Sequence, residues 1–464
     1  PPAPLPRIPA AAEWPRAPAS AMAGGWTWEL PEVLQGVLAA LQPREFARQR
    51  SVCRAWDTAV SKGAREQCCR VVPRALVAAR PLSNCLRLLR DIHAPAHASS
   101  RHLLMDQSLL AAHVYASAET SDGAGYAVLV GEELGVVRLD VWRPPRVRRR
   151  RKGPALRWAF RSVAQPPLPR QMGFGTAALL PDETLVVFGG EDEGIPGFTS
   201  DEVFTLSTCA DEGDSPAGWR GPLPPVATSN LGRPAPRGAA ASCVAGGAVV
   251  LFGGFHQFAV VGSDGLLHAP GGTFFYSDLW WLEVVPCSSG GGCQAQWTGL
   301  GFAPGARPGP RAHAAMVSLG PRRVLLHGGQ HRHGSYLSDL WLMTLDPKQH
   351  SCKAESVMQA TRVPRMCHTL HALGSLVLIL GGADRLGESW DLSSDTLLSG
   401  VLDASEPHIA QWRVADCMGI PRDGHFSFAL EGGRHILIGA GDSGTESGHH
   451  PLSSLMDIEL FYWG

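Results

Sequence analysis

The sequence predicts a mainly β chain of six stacked, four-stranded antiparallel sheets preceded by a small three-helix module. Three observations carry that prediction. The composition is rich in turn formers, with 53 Gly and 37 Pro among 464 residues and only 18% charged residues, which describes many short strands and tight turns. A short apolar run ending in a glycine pair recurs along the C-terminal three-quarters of the chain. Ahead of it stands an apolar stripe at helical spacing, interrupted by proline.

In chain order, residues 1–25 ("PPAPLPRIPAAAEWPRAPASAMAGG") read as a disordered Pro/Ala-rich leader without the apolar core of a signal peptide. Pro1 is not a methionine, which fits a start inside a longer protein. Residues 26–70 carry the helical module. Leu30, Val33, Leu34, Val37, Leu38 and Leu41 line one helix face, Pro43 ends that helix, and Phe46, Val52 and Trp56 mark a second and a third. So short a trio needs a neighbouring domain or a partner to complete its core. In residues 71–105, Leu82, Cys85, Leu86, Leu89 and Ile92 share a helical face, which predicts a linker helix.

The repeats occupy residues 106–464. Gly189-Gly190 in "TLVVFGGEDE" returns as Gly253-Gly254, Gly328-Gly329 and Gly381-Gly382, with Ala440-Gly441 as a weaker copy, at spacings of 64, 75, 53 and 59 residues. No helix-opening phosphate loop follows the pair, so the glycines are expected to be architectural. After each pair a strand opens at an aspartate: Asp201, Asp278, Asp339 and Asp395. Trp219, Trp297 and Trp412 follow three of these at 18, 19 and 17 residues, and are expected to supply apolar contact between sheets. A Pro-Arg then leads into each unit, at Arg170, Arg237, Arg311, Arg365 and Arg422. The first unit is degenerate, with Gly131-Glu132 in place of the pair, and the last stops before its fourth strand. An open seam exposes strand edges. A strand from within "SRHLLMDQSLLAAHVYAS" is therefore expected to complete the last sheet. The residues between Gly254 and Asp278 form a long insertion of the kind that is often functional or mobile.

Composition bounds the function. A net charge of −1 gives no global attraction to nucleic acid or membrane. Eleven scattered cysteines with no CxxC pair fit a reduced compartment, cytoplasmic or nuclear, better than a disulfide framework. No apolar run approaches the ~20 residues of a membrane span. The basic run "RPPRVRRRRKG", Arg143 to Gly153, reads as a loop of the first sheet that can also serve as a nuclear localisation signal.

The period and landmarks of the repeats resemble kelch repeats, which implies a six-bladed β-propeller over residues 106–464. Leu30-Pro31, Leu34, Pro43, Phe46, Val52-Cys53 and Trp56 stand at the motif positions of an F-box, so the helical module resembles that family. The resemblance implies that these residues dock Skp1 and, through it, a cullin, by an apolar helix-in-groove contact. The chain would then be a non-catalytic substrate receptor of an SCF-type ubiquitin ligase, needing no cofactor, its propeller holding a protein bound for proteasomal degradation. The order of modules is distantly similar to the Zeitlupe group, but the leader has no room for that group's flavin-binding LOV domain.

For the cargo site, the repeated arginines Arg170, Arg237, Arg311, Arg365 and Arg422 predict a basic ring at one face, suited to an acidic or phosphorylated ligand. The competing reading is that an arginine present in every repeat holds the repeat together. The residues two positions later, Met172, Ala239, His313, Cys367 and Gly424, vary between repeats and are the better recognition candidates, His313 above all. Two other classes stay open. One is a propeller scaffold acting outside a ligase. The other is an iron enzyme using Asp442, Glu446 and His450, which recur every four residues and have ligand types that suit iron. His327, His331 and His333 read as loop polar groups.

Overall fold

The computed structural model describes residues 97–104, 112–119, 125–131, 135–142, 157–164 and, apart from intervening stretches, 172–461. The chain divides into two units, Pro1–Gly63 and Ala64–Gly464, and every described residue falls in the second. The expected leader, the three helices and most of the linker lie outside the described residues.

The second unit is mainly β, as expected; among the described residues its main strands fall into six antiparallel groups, the third and fourth joined by a short parallel pairing, with four further two-stranded ladders. The first sheet runs Ala112–Glu119, Gly125–Gly131, Gly135–Trp142 and Arg157–Ala164. The second has three strands, Thr176–Leu179, Thr184–Phe188 and Val203–Ser207. The third is Ala241–Ala245, Ala248–Phe252, Leu279–Pro286 and Cys293–Phe302. The fourth is Ala315–Gly320, Arg323–His327, Leu340–Asp346 and Ser351–Ser356. The fifth is Thr369–Leu373, Leu376–Leu380, Thr396–Asp403 and His408–Asp416. The sixth takes Phe426–Leu430, His435–Gly439 and Ser454–Phe461, then His97–Leu104 as its outer strand.

The first strands of successive sheets are neighbours all the way round, from sheet one through sheet six and back to sheet one. This is a propeller-like ring. The sixth sheet pairs the first and last described strands, with His97 opposite Phe461 and Leu104 opposite Ser454. The completing strand thus overlaps the expected window only at residues 100–104. It begins inside the span read as a linker helix, and the rest of that window opens the first sheet.

Burial explains why the apolar run before each glycine pair is so uniform. The second strand of each sheet has sheets on both sides, and Ala248–Phe252 and His435–Gly439 are buried at every position. Between the second and third sheets, Trp297 is 1% exposed with its ring 5.0 Å from Phe188 and 6.3 Å from Trp280. Trp297 and Trp412 both serve the sheet-to-sheet contact that the repeat predicted. Trp219 differs, lying beside the single bridge between Thr205 and Arg220 and not in a strand. Backbone links also cross from sheet to sheet, as where Pro225–Ala227 runs parallel to Ala295–Trp297.

The glycine pair is an inter-sheet joint. The Gly329 amide donates to the Arg365 carbonyl of the next sheet at 2.7 Å, and Gly382 to Arg422 at 2.9 Å. Gly328 has φ +62°, and a Cβ there would lie 2.6 Å from the Arg365 carbonyl and 3.0 Å from the His368 ring. Left-handed strain and a backbone collision add, so Gly328→Ala is expected to cost about 3 kcal/mol, read as a lower urea midpoint.

Candidate functional site

The repeated arginines are interior. Arg237 and Arg311 are 1% and 2% exposed, and Arg365 and Arg422 are 2% and 0%. Arg311 donates from Nη1 to Asp339 Oδ1 at 2.6 Å and to the Gly328 carbonyl at 3.0 Å. Its Nη2 reaches Asp339 Oδ2 at 2.8 Å, and its Nε the Gly309 carbonyl at 3.1 Å. Arg237 repeats the pattern on Asp278, Gly253 and Ala235. In both sheets a tryptophan Nε1 completes the carboxylate: Trp280 on Asp278 at 2.7 Å and Trp341 on Asp339 at 2.6 Å. Arg365 donates to the Gly381 carbonyl at 2.6 Å and to Thr396 Oγ1, and Arg422 to the Ala440 carbonyl at 3.2 Å. Arg237, Arg311 and Arg365 thus tie the glycine joint to the start of the strand that follows it, and Arg422 holds the joint itself. These four arginines are buried and turned to internal acceptors, so among the described residues they do not form the exposed basic ring that was expected. Arg170 lies outside the described residues, as does the basic run from Arg143.

What lines the mouth is the next position. Phe174, Ala239, His313, Cys367 and Gly424 all have left-handed φ, between +48° and +59°. Each amide donates to its predecessor's carbonyl: Ala239 to Phe174 at 2.8 Å, His313 to Ala239 at 3.0 Å, Cys367 to His313 at 3.0 Å and Gly424 to Cys367 at 2.9 Å. A chain of hydrogen bonds thus passes from the second sheet to the sixth. Four of its five members stand two residues after a repeat arginine, as the sequence indicated. In the second sheet the member is Phe174 and not Met172, which instead pairs with Asp192 in a short ladder. Two extra residues separate Arg170 from its strand, and counting back from Thr176 rather than forward from Arg170 would have found Phe174.

Aromatic groups gather on this mouth. The His313 ring stacks on Phe255 at 5.7 Å and meets Phe174 edge-on at 5.4 Å, while its Nδ1 lies 3.4 Å from Cys367 Sγ. Phe174 is 52% exposed. Burial lowers the His313 pKa to about 4, so the ring is neutral at physiological pH. The insertion after Gly254 is a hairpin, Phe255–Val261 paired with Leu267–Phe275. His256 holds its base through Thr199 Oγ1, and Tyr276 through Arg237, whose Cζ lies 4.0 Å from the ring centroid. Between hairpin and mouth lies a pocket of about 480 Å³ lined by Phe174, Glu191, Phe255, Gln257, Thr273, Phe275, His313, Gln330, Arg332 and Gly334.

A channel of about 580 Å³ runs along the first strands of sheets two to six. Beside it His371 Nε2 meets Ser427 Oγ at 2.6 Å, Ser427 Oγ donates to Thr369 Oγ1 at 2.7 Å, and Thr369 Oγ1 meets His425 Nε2 at 3.0 Å. His327 is fully buried, with Nδ1 2.8 Å from His368 Nε2, and so is not a loop group. Asp442 and His450 sit on opposite arms of a hairpin, Asp442–Thr445 paired with Gly448–Pro451, and Glu446 lies outside the described residues. Among the described residues no cluster of three His, Cys, Asp or Glu could hold a metal ion, and no helix is long and apolar enough to cross a membrane. The docking set read from the sequence (Leu30, Pro31, Leu34, Pro43, Phe46, Val52, Cys53 and Trp56) lies outside the described residues.

Fold and mouth together define a mainly β repeat ring with an aromatic face. No protein-family model matches the chain. The chain is similar to an F-box/kelch-repeat protein of Arabidopsis thaliana, 26% identical over 175 residues, or 35% of this chain and 34% of that protein. It is also similar to the flagellar outer-arm dynein alpha chain of Chlamydomonas reinhardtii, 30% identical over 158 residues, or 34% of this chain and 3% of that protein. It thus spans about a third of the first relative's length and far less of the second's. Among solved structures, that of YjhT covers 77% of this chain and 94% of its own, with a TM-score of 0.49 and 14% identity.

Proposed function

We propose that this protein is the substrate-recognition subunit of an SCF-type ubiquitin ligase. In this reading an F-box at residues 26–70 docks Skp1, and through it a cullin, while a six-bladed kelch propeller holds the protein to be ubiquitinated. The role is non-catalytic and is exercised in the cytoplasm or nucleus. The observation that carries the cargo half is the mouth, where an exposed aromatic face surrounds a pocket on a rigid ring. The F-box-like order of Leu30-Pro31, Pro43 and Trp56, with the similarity to an F-box/kelch-repeat protein, supports the ligase half.

Co-purification tests it. Tagged full-length chain is expected to capture Skp1 and cullin, and Leu30→Ala/Pro31→Ala to lose both while keeping its thermal midpoint. Equal capture by the double variant would remove the F-box assignment. A second reading is a kelch ring that binds protein outside any ligase. Capture of a cargo protein with neither Skp1 nor cullin would select it.

A further inference from the structure

The two faces of the inserted hairpin differ. Phe255 is paired with Phe275 and Gln257 with Thr273, whereas His256 is paired with Phe274. Side chains alternate along a strand, so Phe255, Gln257, Thr273 and Phe275 share the face that lines the pocket. His256, Phe258 and Phe274 share the other. Phe174 and His313 also line it and pack against Phe255, with ring centroids 6.2 and 5.7 Å away. Its walls are therefore largely aromatic, and half of its six polar side chains are the amides of Gln257 and Gln330 and the hydroxyl of Thr273, which suit a peptide backbone.

The charges narrow the ligand further. Arg332 is exposed and makes no ion pair among the described residues, whereas Glu191 across the pocket is already engaged. The four described repeat arginines are buried. A phosphate entering the pocket would meet one free guanidinium, where tight recognition needs a cluster. A single carboxylate would be matched.

We propose that the pocket takes an unmodified peptide segment. A large aromatic or aliphatic side chain inserts between Phe174, Phe275 and the stacked Phe255–His313 pair, and a carboxylate one or two residues away meets Arg332. This deepens the receptor reading by naming the chemistry of its cargo, and rests on that reading only for the cargo's fate.

The test pans a displayed library of random dodecapeptides against the purified full chain, then measures the affinity of the most enriched peptide by fluorescence anisotropy. Enriched sequences are expected to place Phe, Trp, Leu or Met within two residues of Asp or Glu. Phe174→Ala and Phe275→Ala are each expected to weaken binding at least about tenfold, as anchors in a desolvated pocket do. Phe274→Ala, on the opposite face, is expected to leave binding unchanged. Thr273→Arg obstructs the pocket from an exposed position without touching the core, and should abolish binding even if an aromatic variant misfolds. Arg332→Glu should weaken the acidic peptide and bind its Lys-substituted version instead. No enrichment, loss with Phe274→Ala but not with Phe275→Ala, or tighter binding when the carboxylate is replaced by phosphoserine would each overturn the proposal. Skp1 capture by the same variants stays intact in either case, which separates a failed pocket from a failed ligase assignment.

Discussion

Asp339→Ala is expected to destabilise the ring by about 3–5 kcal/mol, and more than Arg311→Ala does. The asymmetry follows from where the two charges sit. The Arg311 side chain is 2% exposed and the Asp339 side chain 33%. Without the carboxylate, a guanidinium is left inside the protein with only the Gly328 and Gly309 carbonyls for partners, and Trp341 Nε1 loses its acceptor as well. Without the arginine, Asp339 can still reach water. Burial opposes ionisation of Asp339, but hydrogen bonds and charge from Arg311, with a hydrogen bond from Trp341, outweigh it and hold its pKa below the usual carboxylate range. The pair's contribution is therefore complete above the ordinary carboxylate pKa and is lost only as pH falls through the lower folded value. Denaturant midpoints at pH 7 measure the two single variants. Arg311→Met/Asp339→Leu, which removes both charges and keeps apolar volume, should recover much of the loss. If Asp339→Ala cost under 1 kcal/mol, about the worth of an exposed ion pair, the strut would carry no structural weight.

The same pair shows what can be read from one sequence. The glycines, aspartates and arginines recur because the joints between neighbouring sheets use them, and a use repeated from sheet to sheet leaves a pattern. Their partners were not legible. Nothing in the spacing says that Arg311 turns inward to Asp339, although a residue present in every repeat was the weaker candidate for recognition. Positions free of the joint, such as His313, were locatable by offset, while their chemistry waited on what stacks there. Phe174 was displaced by two inserted residues, a change that leaves burial intact and breaks a count. The hairpin from Phe255 was visible only as excess length, because its alternation is blurred by exposed Phe258 and Phe274 on the outer face. The strand His97–Leu104 was required by an unfinished sheet. Pairing with Ser454–Phe461 is a contact between segments far apart in sequence that no local pattern encodes.

Acid is expected to unfold this ring well above the carboxylate range. His425, His327 and His368 are buried around the fourth, fifth and sixth sheets, and His371 and His313 are half-buried, His371 beside the channel and His313 at the mouth. Burial lowers the pKa of all of them, to about 4 for His313 and His371 and about 3 for His425, with neighbouring arginines adding to the effect at His327, His368 and His425. Such groups are neutral when folded and titrate near 6.5 when unfolded. As pH falls from about 6.5 toward 4, the unfolded chain takes up protons that the folded one cannot, and stability declines. Above 6.5 both states are neutral and the contribution is whole. Each such histidine adds up to about 1.4 kcal/mol per pH unit to the slope of stability within that window. Urea titrations at pH 7.5, 6.5, 5.5 and 5.0 should give a midpoint that is flat between the first two and falls steeply thereafter. His371→Gln, which keeps a donor for Ser427 Oγ and cannot protonate, should reduce the proton uptake at pH 5.5 by about one. A midpoint constant down to pH 5 would mean that these imidazoles charge in place, and that the network from His371 through Ser427 and Thr369 to His425 is wetter than its burial implies.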